Sequence, residues 1–431
     1  MENQDIVVSL DIGTTKIVAI VGRKNEHGKI EILGVGKTHS PGVKRGIVTN
    51  ISETADAIQI AVEKAENASG LEINQKVNVG IAGKHISSIQ HRGIRMCDGP
   101  DDIITQEDVD LLIDDMHKLV MLPGEKIIHV LPQEYIIDGE QGITKPVGMS
   151  GVRLEANFHI ITGQESAKNN IIRCVQKVDL DVSDLVLEPL ASAEAVLNSE
   201  EKEGGVALID IGGGTTDIAI FYDNIIRHTA VIPFGGSSIT EDIKEGCAIL
   251  RKQAEQLKVK FGSALADQTQ ENEIVAIPGI AGADPREISV KNLSSIIQAR
   301  MSEIMEYADH EIKNSGYHDK LIAGIVLTGG GSQLKHIAQL CEYITGLRAR
   351  VGYPNQFLAQ GDIDAVTSPL FATSVGLVIK GFETMEKVRS QGKGQKVTGH
   401  STKKRGNFFD SFFKTTQEFF EEKDVDTDEH K

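Results

Sequence analysis

The chain has 431 residues, enough for two or three domains of ordinary size, and a formal net charge of −17 from 62 acidic and 45 basic residues. Nucleic-acid-binding proteins normally show the opposite, basic balance, so we expect no nucleic-acid partner. The four cysteines are far apart and form no C-x-x-C pair, which argues against a zinc site and favours buried, reduced thiols.

The first predicted elements follow the N-terminus at once, because the opening segment has neither the basic start nor the apolar run of a signal peptide. Residues 6–10 and 17–21 are predicted as buried strands joined by the turn DIGTTK, and KIEILGVGKTHS as a third strand. Apolar residues at helical spacing predict a helix over 52–69 that starts at a Ser52 cap, and 76–83 is predicted as another strand. The sequence therefore begins with a three-strand meander, a helix and a strand.

From residue 84 to about 163 the sequence predicts an inserted α+β subdomain of short strands around one acidic helix, TQEDVDLLIDDMHKLV. Helical segments then lead, through EPLASAEAVLNS, to residue 205, where the strand, turn and strand pattern starts again. Helical regions follow over about 237–262 and 291–314, then a strand, a glycine loop and a helix in LIAGIVLTGGGSQLKHIAQLCEYI, and a closing helix in SPLFATSVGLVIKGF. This order indicates a duplicated α/β unit with insertions, in which Asp11 and Asp210 are equivalent.

Two glycine-rich turns, DIGTTK at 11–16 and DIGGGTTD at 210–217, occupy equivalent places in the two halves. Backbone N–H groups exposed in such turns can bind phosphate oxygens, and the threonine hydroxyls and Lys16 add donors and positive charge. The aspartates would repel a bare phosphate, which makes sense if a Mg²⁺ lies between, held by carboxylates through its own waters. One such turn alone is more simply a plain hairpin, but two equivalent turns can face each other as a clamp on a polyphosphate. The third loop, LTGGGSQL, is predicted to open a helix and suits a phosphate or ribose edge, or is an ordinary strand-to-helix turn.

These motifs, with EPLASA before the second, resemble those of the actin-like ATPase superfamily over about residues 5–385. Within this superfamily the chain resembles the FtsA family of bacterial cell-division proteins. The resemblance lies in the LDIGTTK motif, in the subdomain inserted after GIAGKHI, and in the C-terminal linker and amphipathic helix. The resemblance implies an α/β, duplicated actin-like (ribonuclease H-like) two-lobed fold with an insert in each half. It implies a first lobe (1–83 and 164–198), an inserted subdomain for polymer or partner contacts (84–163), a second lobe (199–240 and 313–385), a second-lobe insert (241–312), a flexible linker (386–406) and a membrane-targeting tail (407–431).

The resemblance also implies a site for ATP and Mg²⁺. Its residues are the positions of this sequence that match the family's motifs. The first phosphate loop comprises Asp11, Gly13, Thr14, Thr15 and Lys16, and the second Asp210, Gly212, Gly213, Gly214, Thr215 and Thr216. The adenosine and cleft residues are Gly235, Gly236, Glu255, Lys258, Gly329, Gly330, Gly331 and Ser332, and Mg²⁺ would lie among Asp11, Asp210 and Asp217. Glu188 matches the acid that orients an attacking water in relatives, or it is a helix-capping acid before Pro189. Since proteins of the FtsA family are poor or disputed ATPases, we expect nucleotide binding and at most weak turnover.

The C-terminal tail carries six phenylalanines in thirteen residues, too few to span a bilayer. On a helix, Phe408, Phe409, Phe412, Phe413, Phe419 and Phe420 fall within an arc of about 140°. Burial of aromatic rings, at roughly 1.5–3 kcal/mol each when complete, and attraction of Lys403, Lys404 and Arg405 to anionic lipid favour binding to a membrane surface. The alternative is a helix that docks on a protein groove, and the acidic end of the chain weakens the electrostatic contribution.

The resemblance thus implies an ATP-binding, actin-like cell-division scaffold that polymerises and tethers FtsZ to the cytoplasmic face of the membrane at the septum. The resemblance implies that the FtsZ C-terminal tail docks on the second-lobe insert, where basic candidates for contact with this acidic peptide are Arg286, Lys291 and Arg300. Other division proteins are further expected partners. The alternatives are a small-molecule kinase or a pilus-assembly ATPase of the same superfamily. A kinase needs a substrate pocket with a general base, for which the sequence offers no distinct candidate.

Overall fold

The computed structural model describes residues 6–73, 76–97, 102–270, 272–279, 284–359 and 366–393. A compact unit covers Met1–Thr384, and a second unit runs from Met385 onward, of which only the end of one helix is described. The predicted tail and most of the predicted linker therefore lie outside the described residues. Along the described part of the chain, every helix is too short or too polar to cross a membrane.

The first half of the chain builds one sheet and, as an insertion, a second. Its elements are β1 (Ile6–Ile12), β2 (Lys16–Lys24), β3 (Ile30–His39), β4 (Val43–Lys44), β5 (Ile47–Val48), α1 (Ile51–Ser69), β6 (Lys76–Ile81), β7 (Ser87–Met96), α2 (Gln106–His117), β8 (Glu125–Ile137), β9 (Glu140–Ile143), β10 (Arg153–Gln164), α3 (Glu165–Gln176), β11 (Asp181–Leu187) and α4 (Glu188–Val196). Helix α1 is capped by Asn50, whose side chain accepts a hydrogen bond from the Glu53 N–H. The predicted Ser52 cap is therefore wrong by two residues, because Asn50 satisfies the same free amides.

The second half repeats the order of the first. Its elements are α5 (Ser199–Gly204), β12 (Val206–Ile211), β13 (Thr216–Tyr222), β14 (Ile225–Ile232), α6 (Gly236–Cys247), α7 (Arg251–Phe261), β15 (Ile274–Ile277), β16 (Arg286–Ser289), α8 (Val290–Asn314), β17 (Gly324–Thr328), α9 (Ile337–Thr345), β18 (Ala349–Val351) and α10 (Ala372–Lys393).

The two main sheets have the same topology, which confirms the predicted duplication. The first has the strand order β11-β6-β1-β2-β3, and the second β18-β17-β12-β13-β14. In each sheet the first three strands form an antiparallel meander, and two later strands join in parallel beside the first. Residues 17–21 of β2 are fully buried, as expected for a strand covered on both faces.

The inserted subdomain is a four-stranded antiparallel sheet of order β7-β10-β8-β9, with α2 packed on it. Its strands are longer than predicted, since β8 and β10 have 13 and 12 residues. Its side chains also reach the second lobe. Gln133 Nε2 donates to the Ile226 carbonyl at 2.8 Å, and a ring nitrogen of buried His159 lies 3.0 Å from Thr229 Oγ1. The insertion therefore bridges from the first lobe to strand β14 of the second.

The helical region predicted over 237–262 is two helices. Helix α6 ends at Cys247, and Ala248 adopts a left-handed conformation with φ 49°. Helix α7 then begins at Arg251, where the Gln253 side chain accepts a hydrogen bond from the Leu250 N–H. A single helix is excluded because the left-handed residue turns the chain and ends the helical hydrogen bonding.

Helices α4 and α10 cross in close contact. A Cβ placed on Gly376 would lie 1.8 Å from the Ala191 carbonyl oxygen, far inside any real contact. Only a residue without a side chain permits this approach of two helix backbones. The crossing brings Ser192 of α4 and Thr373 and Ser374 of α10 to the ends of the central strands.

Candidate functional site

The β1–β2 turn and the β12–β13 turn have the same hydrogen bonding. The Gly13 N–H donates to the Lys16 carbonyl at 3.0 Å, and the Gly212 N–H donates to the Thr215 carbonyl at 2.9 Å. Both turns follow a buried strand whose next-to-last residue is an aspartate. The two predicted phosphate loops are thus equivalent in conformation as well as in sequence.

The structure brings these two loops into direct contact across the cleft between the lobes. A Cβ placed on Gly213 would lie 2.3 Å from Thr15 Cγ2, and one on Gly214 would lie 2.5 Å from Thr14 Oγ1. The glycines are therefore required for the loops to approach this closely. A phosphate chain can enter between them only if the two loops move apart.

Four acidic side chains converge behind the loops. Asp11, Asp210 and Asp217 are each at most 7% exposed, and the Glu188 side chain lies against Gly80 of β6. Asp11 is paired with Lys16 Nζ at 2.8 Å and accepts a hydrogen bond from Ser374 Oγ, also at 2.8 Å.

Asp210 and Asp217 face each other across the β12–β13 ladder. Asp210 accepts hydrogen bonds from Ser192 Oγ at 2.6 Å and Thr373 Oγ1 at 3.3 Å. Asp217 accepts one from Thr215 Oγ1 at 2.9 Å, while its second carboxylate oxygen, Oδ1, is buried and has no hydrogen-bond partner.

Burial and mutual repulsion raise the pKa of three of these acids. The pKa of Glu188 lies well above its usual range because of burial and the nearby Asp11, Asp217 and Asp210, and Lys16 only partly offsets this. Burial also raises the pKa of Asp210, against the hydrogen bond from Ser192. Burial and then Asp210 raise the pKa of Asp217 to about 7. The folded site therefore disfavours the ionised forms of these acids, and a bound cation would favour them.

The predicted Mg²⁺ residues are only partly brought together. Within the described ranges, no three acidic, histidine or cysteine side chains form a group that could by itself hold a metal ion. The unpartnered Asp217 oxygen and the raised pKa values fit a cation that is bound partly by other ligands. The Mg²⁺ assignment accordingly stays a prediction.

The remaining cleft residues pack around the second phosphate loop. The Gly236 N–H donates to the Gly212 carbonyl at 2.9 Å, and a Cβ on Gly235 would lie 2.5 Å from the same oxygen. Lys258 Nζ is bonded to Glu255 at 2.7 Å and to the Gly236 carbonyl at 2.9 Å. Glu255 and Lys258, the pair predicted to flank adenosine, thus lie beside the second phosphate loop and form an ion pair with each other.

The third glycine loop differs from its prediction. Gly330–Gln333 form a short 3₁₀ turn, and α9 begins only at Ile337. His336, with φ 61°, adopts a left-handed conformation, so a regular helix can begin only after it. Gly329, with φ 81°, packs against the Asp210 carboxylate, where a Cβ would lie 2.3 Å from Oδ1. The loop therefore closes the site from the side of the second lobe.

The basic candidates for partner contact Arg286 and Arg300 donate hydrogen bonds to groups inside the chain. Arg300 forms two hydrogen bonds to Asp242, at 2.6 and 2.9 Å, and another to Glu303. Arg286 donates to the Cys247 and Ala248 carbonyls at the end of α6. Lys291 lies in the first turn of α8.

Sequence reasoning missed Ser192, Thr373 and Ser374 as site residues. All three are buried, and together they connect Asp11 and Asp210 to the crossing helices α4 and α10. The available signal was a pair of hydroxyl residues, Thr373 and Ser374, in the otherwise apolar first part of α10, up to Ile379.

The duplicated sheets and the facing loops define a protein of the actin-like fold. Solved structures agree in fold. The chain is similar to the "PilM-PilN type IV pilus biogenesis complex", with a TM-score of 0.64 and 14% identity over 87% of this chain and 98% of that one. It is also similar to MreB5 of Spiroplasma citri bound to AMPPNP, with a TM-score of 0.54 and 16% identity over 91% of this chain and 100% of that one.

Sequence comparison gives the family. Residues 207–376 match the family described as "Cell division protein FtsA", and residues 83–162 match the "SHS2 domain inserted in FTSA". The chain is 39% identical to the cell division protein FtsA of Pseudomonas aeruginosa over 401 residues, which are 93% of this chain and 94% of the relative. The chain therefore belongs to the FtsA family of cell-division proteins.

Proposed function

We propose that this protein is a division scaffold that binds ATP between its two lobes. The observation that carries the proposal is the contact of two equivalent glycine turns beside a cluster of buried acids. The similar fold of MreB5, which was solved bound to AMPPNP, supports nucleotide binding by this chain. Here the loop N–H groups and threonine hydroxyls would hold phosphate oxygens, and the aspartates a Mg²⁺ with its waters.

The state of Glu188 supports binding more than turnover. Burial, and then the neighbouring Asp11, Asp217 and Asp210, raise its pKa well above the usual range, which favours the protonated carboxyl, a form that does not accept a proton from water. A bound cation supplies the positive charge that would lower this pKa. The proposed chemistry is therefore tight nucleotide binding with slow hydrolysis at most.

Nucleotide binding is tested by titrating the full chain with ATP and Mg²⁺ in a calorimeter. In Gly213→Ala the new methyl group occupies the contact between the loops, and we expect at least tenfold weaker binding. Gly204→Ala is the matched control in the same half of the chain, because its Cβ meets only one atom, 4.0 Å away. Equal ATP affinity of Gly213→Ala and the wild type, or no binding by the wild type, contradicts the proposal.

We further propose that the tail, 407–431, anchors the protein to the membrane surface as a peripheral protein. The support comes from the sequence alone, since the tail lies outside the described residues. Co-sedimentation with vesicles that contain anionic lipid should be lost without 407–431 and strongly reduced in Phe412→Ser/Phe413→Ser. A tail-deleted chain that sediments as well as the full chain contradicts the anchor.

The proposed role also includes FtsZ binding and filament formation. The support for both is the membership of the chain in the FtsA family. We assign the FtsZ tail to the second-lobe insert and the filament contacts to the inserted subdomain, which exposes Ile94, Met96, Val120 and Leu122. Since Arg300 already pairs with Asp242 and Glu303, an acidic peptide must compete for it. Anisotropy of a labelled FtsZ tail peptide, with Arg300→Ala compared to Lys291→Ala, tests the docking site. No binding to the wild type contradicts it.

A further inference from the structure

The short hairpin β4–β5 has an arginine where its turn favours glycine or asparagine. Lys44 pairs with Ile47, so Arg45 and Gly46 form a two-residue turn, with φ values of 50° and 73°. Positive φ at both positions is typical of turns built from Asn-Gly or Gly-Gly. The backbone of an arginine is strained at positive φ, and such strain tends to persist where the residue has a functional role.

This turn touches both phosphate loops. The Gly46 N–H donates to Thr14 Oγ1 of the first loop at 3.1 Å. A Cβ placed on Gly214 of the second loop would lie 2.9 Å from Arg45 Cα. The hairpin is fixed there, because a Cβ on Gly46 would lie 2.6 Å from Gly83 Cα, so the two backbones are in contact. The backbone of Arg45 therefore lies at the place where the two loops meet.

The lysine side chains beside the two phosphate loops are already paired with acidic side chains, so a bound polyphosphate would need a further positive group. Lys16 is paired with Asp11, and Lys258 with Glu255. Arg45 is exposed, and its guanidinium makes no hydrogen bond or ion pair with any residue that the structure describes. A polyphosphate beside four acidic groups needs positive charge that is not already matched. The planar fork of arginine suits phosphate oxygens, since it can bind two of them at once.

We propose that Arg45 is a further phosphate-binding residue of the nucleotide site. The assignment rests on the proposed function, because it takes the polyphosphate of ATP as its ligand. It predicts that Arg45 contributes to the binding of ATP and ADP but not to that of adenosine, which has no phosphate.

The test is a binding measurement with ATP, ADP and adenosine on the full chain with Mg²⁺. Arg45→Asn suits the turn conformation and removes the charge, so the hairpin stays folded. Lys44→Asn is the matched control, since it removes one charge from an exposed neighbour in the same hairpin. We expect Arg45→Asn to weaken ATP binding about tenfold or more, as for other charge-assisted hydrogen bonds, with adenosine affinity unchanged. Lys44→Asn should change ATP affinity less than about twofold, the size of a surface Coulomb effect.

The outcomes separate this assignment from the proposed function. If the wild type binds ATP and Arg45→Asn binds it equally well, the assignment is overturned and the nucleotide site stands. An equal loss of adenosine and ATP affinity in Arg45→Asn also overturns it, because that result indicates a structural role. If the wild type binds no nucleotide, the proposed function is overturned, and the assignment with it.

Discussion

Acid should weaken the attachment of the inserted subdomain to the second lobe through one histidine. His159 is 1% exposed and is held between Gln90 and Thr229, each 3.0 Å from one of its ring nitrogens. Burial, and then the nearby His228, lower its pKa from 6.5 to about 4. In the folded protein this ring is therefore neutral across the range in which it is protonated in the unfolded chain.

The sign and size of the effect follow from this difference. Because the folded pKa is depressed, the contribution to stability is fully present above pH 6.5 and is lost as the pH falls toward 4. A difference of about 2.5 pKa units corresponds to about 3 kcal/mol, of which about 2 kcal/mol is lost between pH 8 and pH 5. The unfolded chain gains a proton in this range, whereas the folded chain does not.

Urea unfolding at pH 8, 6.5 and 5 measures this loss. His159→Gln keeps hydrogen-bonding capacity and does not titrate, so the variant should lose about 2 kcal/mol less than the wild type between pH 8 and 5. The matched control is His91→Gln, an exposed histidine on the adjacent strand β7, whose pH dependence should equal that of the wild type. Parallel pH profiles for the wild type and His159→Gln would refute the reasoning.

Three further predictions concern the cleft and the helix crossing. In Thr15→Cys/Gly213→Cys, the Cβ atoms would lie 3.2 Å apart, close to the spacing of a disulfide, so oxidation should link the two loops. Because the loops must move apart to admit ATP, ATP at 100 times its Kd should slow disulfide formation about 100-fold, as measured by the loss of free thiols. An unchanged rate contradicts the opening of the loops by ATP. Gly376→Val should lower the free energy of unfolding by about 3 kcal/mol or more, because its side chain meets the Ala191 backbone. Gly330→Ala is the control, and equal melting temperatures of Gly376→Val and the wild type contradict the close crossing of α4 and α10. Glu188→Gln should raise the free energy of unfolding at pH 7 without nucleotide, because burial and the neighbouring carboxylates raise the folded pKa of Glu188, so that its ionisation favours the unfolded chain, whereas an amide does not titrate; a lower free energy in urea unfolding contradicts this.

The parts of the fold with strong local patterns were predictable from the sequence. The meander around DIGTTK and its copy around DIGGGTTD are buried strands on both sides of a glycine turn, and their repetition predicts two equivalent lobes. The facing of the loops follows from this duplication. Local periodicity and turn residues are sufficient here because antiparallel neighbours are close in sequence.

Features that depend on distant contacts were not predictable. Strand β11 was missed because its parallel pairing with β6 joins residues about a hundred positions apart. The break after Cys247 depends on a left-handed alanine, which no propensity favours. The hydroxyl contacts of Thr373 and Ser374 with Asp210 and Asp11 join the end of the chain to its two aspartates. Such contacts become visible only when the chain is folded.

The bridge between the inserted subdomain and β14 also occupies an edge of the second main sheet. Strand β14 is an edge of the second main sheet, and an open edge can pair with strands of other molecules. Here its carbonyls at Ile226, Arg227 and Thr229 accept hydrogen bonds from side chains of the subdomain: Gln133, Gln90 and Ser88. These glutamine and serine groups occupy the edge without adding a strand to it. A substitution that detaches the subdomain would therefore expose an unpaired sheet edge.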